Sequence, residues 1–206
     1  MCMDSPQEGA DDRVLNNARP GQTAPRAQSQ PSPIGACILR IMSDTADLKT
    51  ADLCDAHAGT PHFQVAEPGL LDYGGRRSFF GPISTVRAPE DNSLVRKALE
   101  EPGQGRVLVV DGGGSRRCAL VGDVLAALGE KNGWAGVVVN GCIRDAEDVG
   151  RTAIGVKALG THPLKSGKRN EGQRDVEVRF AGVTFIPGHH LYADADGIVT
   201  SEKPLR

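Results

Sequence analysis

Two short runs of β-branched residues, Val107-Leu108-Val109-Val110 and Val137-Val138-Val139, each empty into a loop of glycine and charge, and this restricts the fold more than any other feature of the chain. A short unbroken Val-rich run has no wet face, so each reads as a strand covered on both sides. Asp111-Gly112-Gly113-Gly114 stops the first run, because successive glycines lose too much backbone entropy to extend a sheet and accept positive φ. After Gly122-Asp123 the apolar residues Val124, Leu125 and Leu128 follow helical spacing, which puts Asp123 at or beside a helix N-cap. Gly133-Trp134-Ala135-Gly136 breaks that helix, and the second strand ends at Asn140-Gly141-Cys142-Ile143-Arg144-Asp145. Strand, loop, helix, strand, loop predicts an α/β domain, in which loops from the strands' carboxyl ends share one ligand-binding rim. On that reading Gly122-Asp123 and Arg144-Asp145 are neighbours in space.

A chain of 206 residues has room for one domain with an appendage. Only 4% of it is aromatic and 26 residues are glycine, so the core is aliphatic and the chain turns often. A formal net charge of −2 offers no basic excess to displace phosphate counterions, which argues against nucleic acid as a partner. No apolar run reaches the length of a membrane span. The five cysteines are scattered, odd in number and never spaced as CxxC, so a disulfide framework or zinc site is not expected and a reducing, cytoplasmic compartment is.

Residues 1–43 are polar and proline-dotted, with too little apolar surface to offset the entropy of ordering, and read as a disordered extension; deleting residues 1–41 should leave folding and activity nearly unchanged. Asp4, Glu8, Asp11 and Asp12 are at odds with a transit peptide, and Met42 offers an alternative start. The folded domain is expected over residues 44–206. It should open with a helix carrying Leu48, Ala51, Leu53 and Cys54, its second part capped by Thr50. Gly69 to Gly81 reads as loop, Ile83 to Val86 as strand, and Asn92 to Leu99 as an amphipathic helix stopped by Pro102-Gly103. Further strands are expected at 154–159, at Val176-Val178-Phe180 with one wet face, at 183–186 and at 198–200; charged, glycine-bearing Lys165 to Gln173 reads as a mobile loop.

Several motifs fail on their own chemistry. Asp111 to Gly114 lacks the spacing of a dinucleotide or phosphate-binding loop. Asp194-Ala195-Asp196-Gly197 has no distant bidentate Glu for calcium and reads as a hairpin turn. His189 and His190 are adjacent, diverge on a strand and lack a third metal ligand. For the two central loops the bland reading is that Asp123 and Asp145 only cap helices while Arg144 forms a surface ion pair. The functional reading is that free N–H groups at the start of the Asp123 helix hold a carboxylate, Arg144 grips the same anion, and Asp145 brings a hard divalent cation. Such a site would take a 2-oxo acid.

The stretch Ser115 to Val149, with Asp111-Gly112-Gly113-Gly114 before it and Leu191-Tyr192-Ala193-Asp194 after it, resembles the family of regulator of ribonuclease activity A and the class II 4-hydroxy-4-methyl-2-oxoglutarate aldolases. The likeness runs from about Thr50 to the C-terminus, and its most specific string is Gly133-Trp134-x-Gly136-x-Val138-x-x-Gly141-x-x-Arg144-Asp145. The resemblance implies a swivelling-domain-like layered α/β fold, a homotrimer or dimer of trimers with sites between subunits, and pyruvate held by the backbone of Gly122, Asp123, Val124 and Leu125 with Arg144. It also implies Mg2+ or Mn2+ on Asp145, with Asp123 orienting a metal-bound water, and Glu171 is the candidate to reach a neighbour's site.

The family divides into aldolases that release pyruvate, many of which also decarboxylate oxaloacetate, and regulators that bind and inhibit a ribonuclease and typically lack the acidic residue after the arginine. Presence of Asp123, Arg144 and Asp145 together favours the enzyme. A Schiff-base route is disfavoured, because the lysines lie in polar surroundings such as Ser166-Gly167-Lys168-Arg169 or on wet faces.

Overall fold

The computed structural model describes residues 49–205. The expected disordered extension at 1–43, and the start of order near Asp44, lie outside the described residues.

Elements run α1 (Thr50–His57), β1 (Phe63–Val65), β2 (Leu71–Asp72), β3 (Phe79–Arg87), α2 (Ser93–Glu100), β4 (Val107–Asp111), β5 (Ala119–Val121), α3 (Asp123–Lys131), β6 (Gly136–Ile143), α4 (Ala146–Val149), β7 (Gly155–Thr161), β8 (Gln173–Arg174), β9 (Val178–Phe180), β10 (Val183–Phe185), β11 (His190–Ala193) and β12 (Ile198–Ser201). Ten strands form one mixed sheet in the order β1-β12-β11-β3-β4-β6-β7-β2, with β5 beside β6 and β8 beside β3. Its centre, β3-β4-β6-β7, is parallel. Antiparallel β11, β12 and β1 extend one edge and β2 closes the other. This is the α/β architecture that the strand, loop, helix, strand pattern predicts.

The Val-rich runs are buried on both faces because two cores sandwich them. Leu108, Val110, Val137 and Val139 pack with Leu99, Leu125 and Ala126 of the helical layer. Val107, Val109 and Val138 point the other way and pack with Phe185, Leu191 and Ile198. The alternation follows from the two-residue side-chain period of a strand. At about 25 cal/mol per Å2 of apolar surface, fully burying one such valine stabilises the fold by roughly 1.5–3 kcal/mol. A polar residue at any of these positions would therefore unseat the layer that it faces.

Three local expectations are corrected. Thr50 does not cap α1 with its own side chain. Its N–H and hydroxyl instead donate to the buried Asp194 carboxylate at 2.6 and 2.7 Å, so a residue 144 positions away satisfies the helix start. Strand β3 begins at Phe79 within the expected loop, because Gly136 and Gly155 leave space for the Phe79 ring, and a methyl group on either would lie 2.0–2.3 Å from it. The segment from Lys165 to Gln173 is mostly irregular but anchored: Ser166 N–H donates to Ala119, Gly167 N–H to Glu90, and Arg169 N–H to the Asp91 carboxylate. The Asp194–Gly197 turn joins β11 to β12 as a hairpin, as expected.

Candidate active site

Strand β5 ends at Val121, and Gly122 is the N-cap of α3 in an extended conformation, φ −141°. Asp123 is thus the first helical residue, beside the cap. The N–H of Leu125 already donates to the Gly122 carbonyl at 3.1 Å, while those of Asp123 and Val124 have no carbonyl behind them in the helix. A carboxylate placed there meets two donors and the positive end of the helix dipole.

Strand β6 carries the second loop to the same place. Arg144 N–H donates to Val121 at 2.9 Å, which fixes the end of β6 against the end of β5. A methyl group on Gly122 would lie 2.9 Å from Asp145 Oδ2 and 3.1 Å from Arg144 Cγ, so the two motifs are in direct contact. Only a residue without a side chain lets them approach this closely. Asp145 takes a left-handed conformation, φ 53° and ψ 41°, just before α4 and makes no side-chain cap bond. Its Oδ2 pairs with Arg144 Nε at 3.1 Å. The surface ion pair of the bland reading is present, the capping carboxylate is not, and the pair leaves both terminal nitrogens of Arg144 available to an anion.

The start of the helix and Arg144 open onto a cleft of about 180 Å3 whose walls include Gly122 to Leu125 and Arg144, with Asp145 behind Arg144 and not among the lining residues. Asn92 at the N-cap of α2, Arg96 within it, and Lys165, Ser166 and Lys168 of the anchored segment also line it. None of these five was singled out from the sequence for the site. Asn92 Nδ2 donates to the Leu120 carbonyl at 3.2 Å, and Asp91, fully buried, accepts from Ser93 N–H at 2.8 Å and from Arg169 N–H. Burial alone would raise the Asp91 carboxyl, but those N–H bonds prevail and hold it below its ordinary value. The lining carries four cationic side chains against one carboxylate, Asp123, so the cleft concentrates positive potential. Glu171 stands outside it, 62% exposed, and pairs with Arg169 at 2.9 Å.

Among the described residues no three His, Cys, Asp or Glu side chains cluster to hold a metal. Zinc, which takes three or four protein ligands drawn from His, Cys, Asp and Glu, does not fit this donor set. Magnesium and manganese do, because such ions keep several waters and need only one or two carboxylates plus ligand oxygens. The buried lysine was misread: Lys157 is 2% exposed and pairs with Asp72 at 2.8 Å, with no wet face.

The model of the RraA-like family, Aldolase/RraA, matches residues 50–200. The chain belongs to this family. A relative in Aromatoleum aromaticum, provisionally named 4-hydroxy-4-methyl-2-oxoglutarate aldolase, is 59% identical over 77% of this chain and 99% of its own length. Another of the same provisional name, from Alkalilimnicola ehrlichii, is 60% identical over 76% of this chain and 96% of its own. Among RraA-like structures, the RNA-processing inhibitor RraA from Thermus thermophilis superposes with a TM-score of 0.74 at 44% identity, covering 78% of this chain and 96% of that one. A Geobacillus kaustophilus structure described as an S-adenosylmethionine:2-dimethylmenaquinone methyltransferase gives a TM-score of 0.72 at 53% identity, covering 77% and 97%.

Proposed function

We propose that this RraA-like chain is a divalent-metal-dependent aldolase that cleaves 4-hydroxy-4-methyl-2-oxoglutarate to two pyruvates, and that it also decarboxylates oxaloacetate. The observation that carries this reading is the contact of Gly122 with Arg144 and Asp145, which brings a helix N-terminus and a guanidinium into one cationic cleft with the Asp145 carboxylate directly beside them. The names of the relatives at 59% and 60% identity support it.

Both reactions pass through the enolate of pyruvate, so one site serves both. The N–H groups of Asp123 and Val124 bind the substrate carboxylate next to the 2-oxo group, and Leu125 packs beneath. Arg144 donates to the oxygen on which negative charge grows as the C3–C4 bond breaks. Asp123 orients a water that takes the 4-hydroxyl proton and returns one to C3 of the enolate. Asp145 would hold Mg2+ or Mn2+, which supplies Lewis acidity at the 2-oxo oxygen when bound. A second subunit, in a homotrimer or dimer of trimers, would wall off the open side and exclude water, with the exposed Glu171 as the candidate to reach the neighbour's site.

Methyl transfer fits the cleft poorly, because a sulfonium donor is itself a cation and would enter a field of three excess positive charges. Inhibition of a ribonuclease is the second reading, supported by the 44% identity to the RNA-processing inhibitor. Pyruvate release from 4-hydroxy-4-methyl-2-oxoglutarate and from oxaloacetate, measured with magnesium and with chelator, decides between them. Metal-dependent release is expected. No release under either condition, together with saturable ribonuclease binding, would replace the aldolase with the regulator.

A further inference from the structure

The cleft carries more positive charge than one carboxylate needs, since Arg96, Lys165 and Lys168 line it in addition to Arg144. Strand β5 runs along the floor, with Ala119 and Val121 facing the cleft before the turn at Gly122. Lys165 forms a parallel bridge with Ala119, and this alignment is fixed by Ala119 N–H donating to Leu164 at 2.8 Å and Ser166 N–H donating to Ala119 at 3.1 Å. Arg96 lies one helical turn beyond Asn92, to whose carbonyl its N–H donates at 3.0 Å, and therefore on the same face of α2. Asn92 is fastened to Leu120, so Arg96 from α2 and Lys165 from the anchored segment both line the cleft beside the Ala119–Leu120 stretch.

Resting on the aldolase reading, we propose that Arg96 and Lys165 form a subsite for the distal carboxylate of a five-carbon 2-oxo diacid and set the preference for diacids over monoacids. Lengths agree with this. Three residues of strand separate Ala119 from Gly122 by about 10 Å. The terminal carbons of a five-carbon chain are about 5 Å apart, given four bonds of roughly 1.5 Å in zigzag. A diacid anchored at Asp123 and Val124 thus ends over the middle of β5, where the long stems of Arg96 and Lys165 reach it from the far end. Both heads are free to respond. The partner of Arg96 is Glu100 at 3.3 Å, a pair about half exposed on each side, and Lys165 has no ion-pair partner among the described residues. An exposed pair of this kind is weak and yields readily to a ligand.

The test uses 2-oxoglutarate and 2-oxopentanoate, which differ only in a carboxylate or a methyl at the far carbon. Binding to the full chain in the presence of magnesium is measured by calorimetry for wild type, Lys165→Gln, and the double variant Arg96→Ala with Lys165→Ala. Wild type should prefer 2-oxoglutarate. The double variant should bind it roughly tenfold more weakly, Lys165→Gln should lose part of that, and affinity for 2-oxopentanoate should not change. Equal weakening of both ligands, no change for either, or no preference in wild type would overturn the subsite. Because binding requires no turnover, a wild type that prefers 2-oxoglutarate yet releases no pyruvate would sink the aldolase reading and leave the subsite standing.

Discussion

Gly122→Ala isolates the meeting of the two loops from the stability of the domain. At φ −141° the backbone accepts any residue, so alanine adds no strain there. Replacing glycine by alanine at an N-cap costs up to about 1 kcal/mol, or roughly 2–4 °C of melting temperature in a domain of this size. The new methyl group has one consequence beyond that. Its 2.9 Å contact with Asp145 Oδ2 must open to about 3.4 Å, and its 3.1 Å contact with Arg144 Cγ by a few tenths. The guanidinium and carboxylate therefore move by about half an ångström. A misplacement of 1 Å at a reacting centre costs on the order of 10²-fold, so half of that corresponds to about tenfold in kcat. Pyruvate release coupled to lactate dehydrogenase reads the rate, and differential scanning fluorimetry reads the fold. A variant that keeps its melting temperature to within about 5 °C and loses about tenfold in kcat is the expected result. A rate within twofold of wild type would show that the contact between Gly122 and the Arg144-Asp145 pair has no part in the chemistry.

Arg144 and Asp145 should fail differently. Asp145→Asn should weaken magnesium binding and recover part of its rate in excess metal, whereas Arg144→Lys loses the planar fork, should cost on the order of 10² to 10³ in rate, and should not be rescued; equal rescue of both by metal would refute the division of roles. Burial alone would raise the Asp194 carboxyl, but bonds from Thr50, Asp196 and Gly197 outweigh it and hold the group below its ordinary value. A depressed folded value stabilises the protein above the unfolded carboxyl value of about 3.9, and the contribution is lost as pH falls through the folded value. Asp194→Asn should accordingly lower the urea midpoint at pH 7, by an amount corresponding to roughly 2–4 kcal/mol, and flatten its fall as pH drops below the unfolded carboxyl value; parallel pH profiles for variant and wild type would count against it. Light scattering at micromolar concentration should give the mass of a trimer or hexamer, and a monomer would remove the shared-site assembly.

What could be read from the sequence was what burial writes locally. The valine runs of β4 and β6 have both faces covered, so every position is apolar, and the glycines that end them mark the rim. Strand β5 was invisible, because three residues, Ala119 to Val121, with a register shift against β6 are too short to show a period. The rest of the cleft was missed for a different reason. Asn92, Arg96, Lys165, Ser166 and Lys168 reach it through long-range bonds, Asn92 to Leu120 and Ser166 to Ala119, and nothing in their own neighbourhoods records those partners. The one available signal is a pair of lysines around Ser166-Gly167 with no acidic residue between them, a pattern that a solvated loop shares.

Lys157 shows how one misjudged side chain bears on mechanism. Its neighbours Val156 and Ala158 pack into the helical core, so the alternation of β7 turns Lys157 to the opposite face of the sheet. There it pairs with Asp72 and lines a separate cavity of about 300 Å3 beside Leu70 and Ile198. It is the single buried lysine among the described residues, and so the only one desolvated as Schiff-base chemistry requires. The helix N-terminus, Arg144 and Asp145 meet at the carboxyl ends of β5 and β6, on the side where Leu125 and Ala126 join the helical core. A substrate held at Asp123 and Val124 cannot reach through the sheet to Lys157, and the lysines that do line its cleft, Lys165 and Lys168, are exposed. Neither is desolvated as an amine nucleophile of this kind requires. The geometry thus separates the desolvated amine from the cleft, and in the proposed reaction the enolate would be stabilised by charge placed around its oxygens.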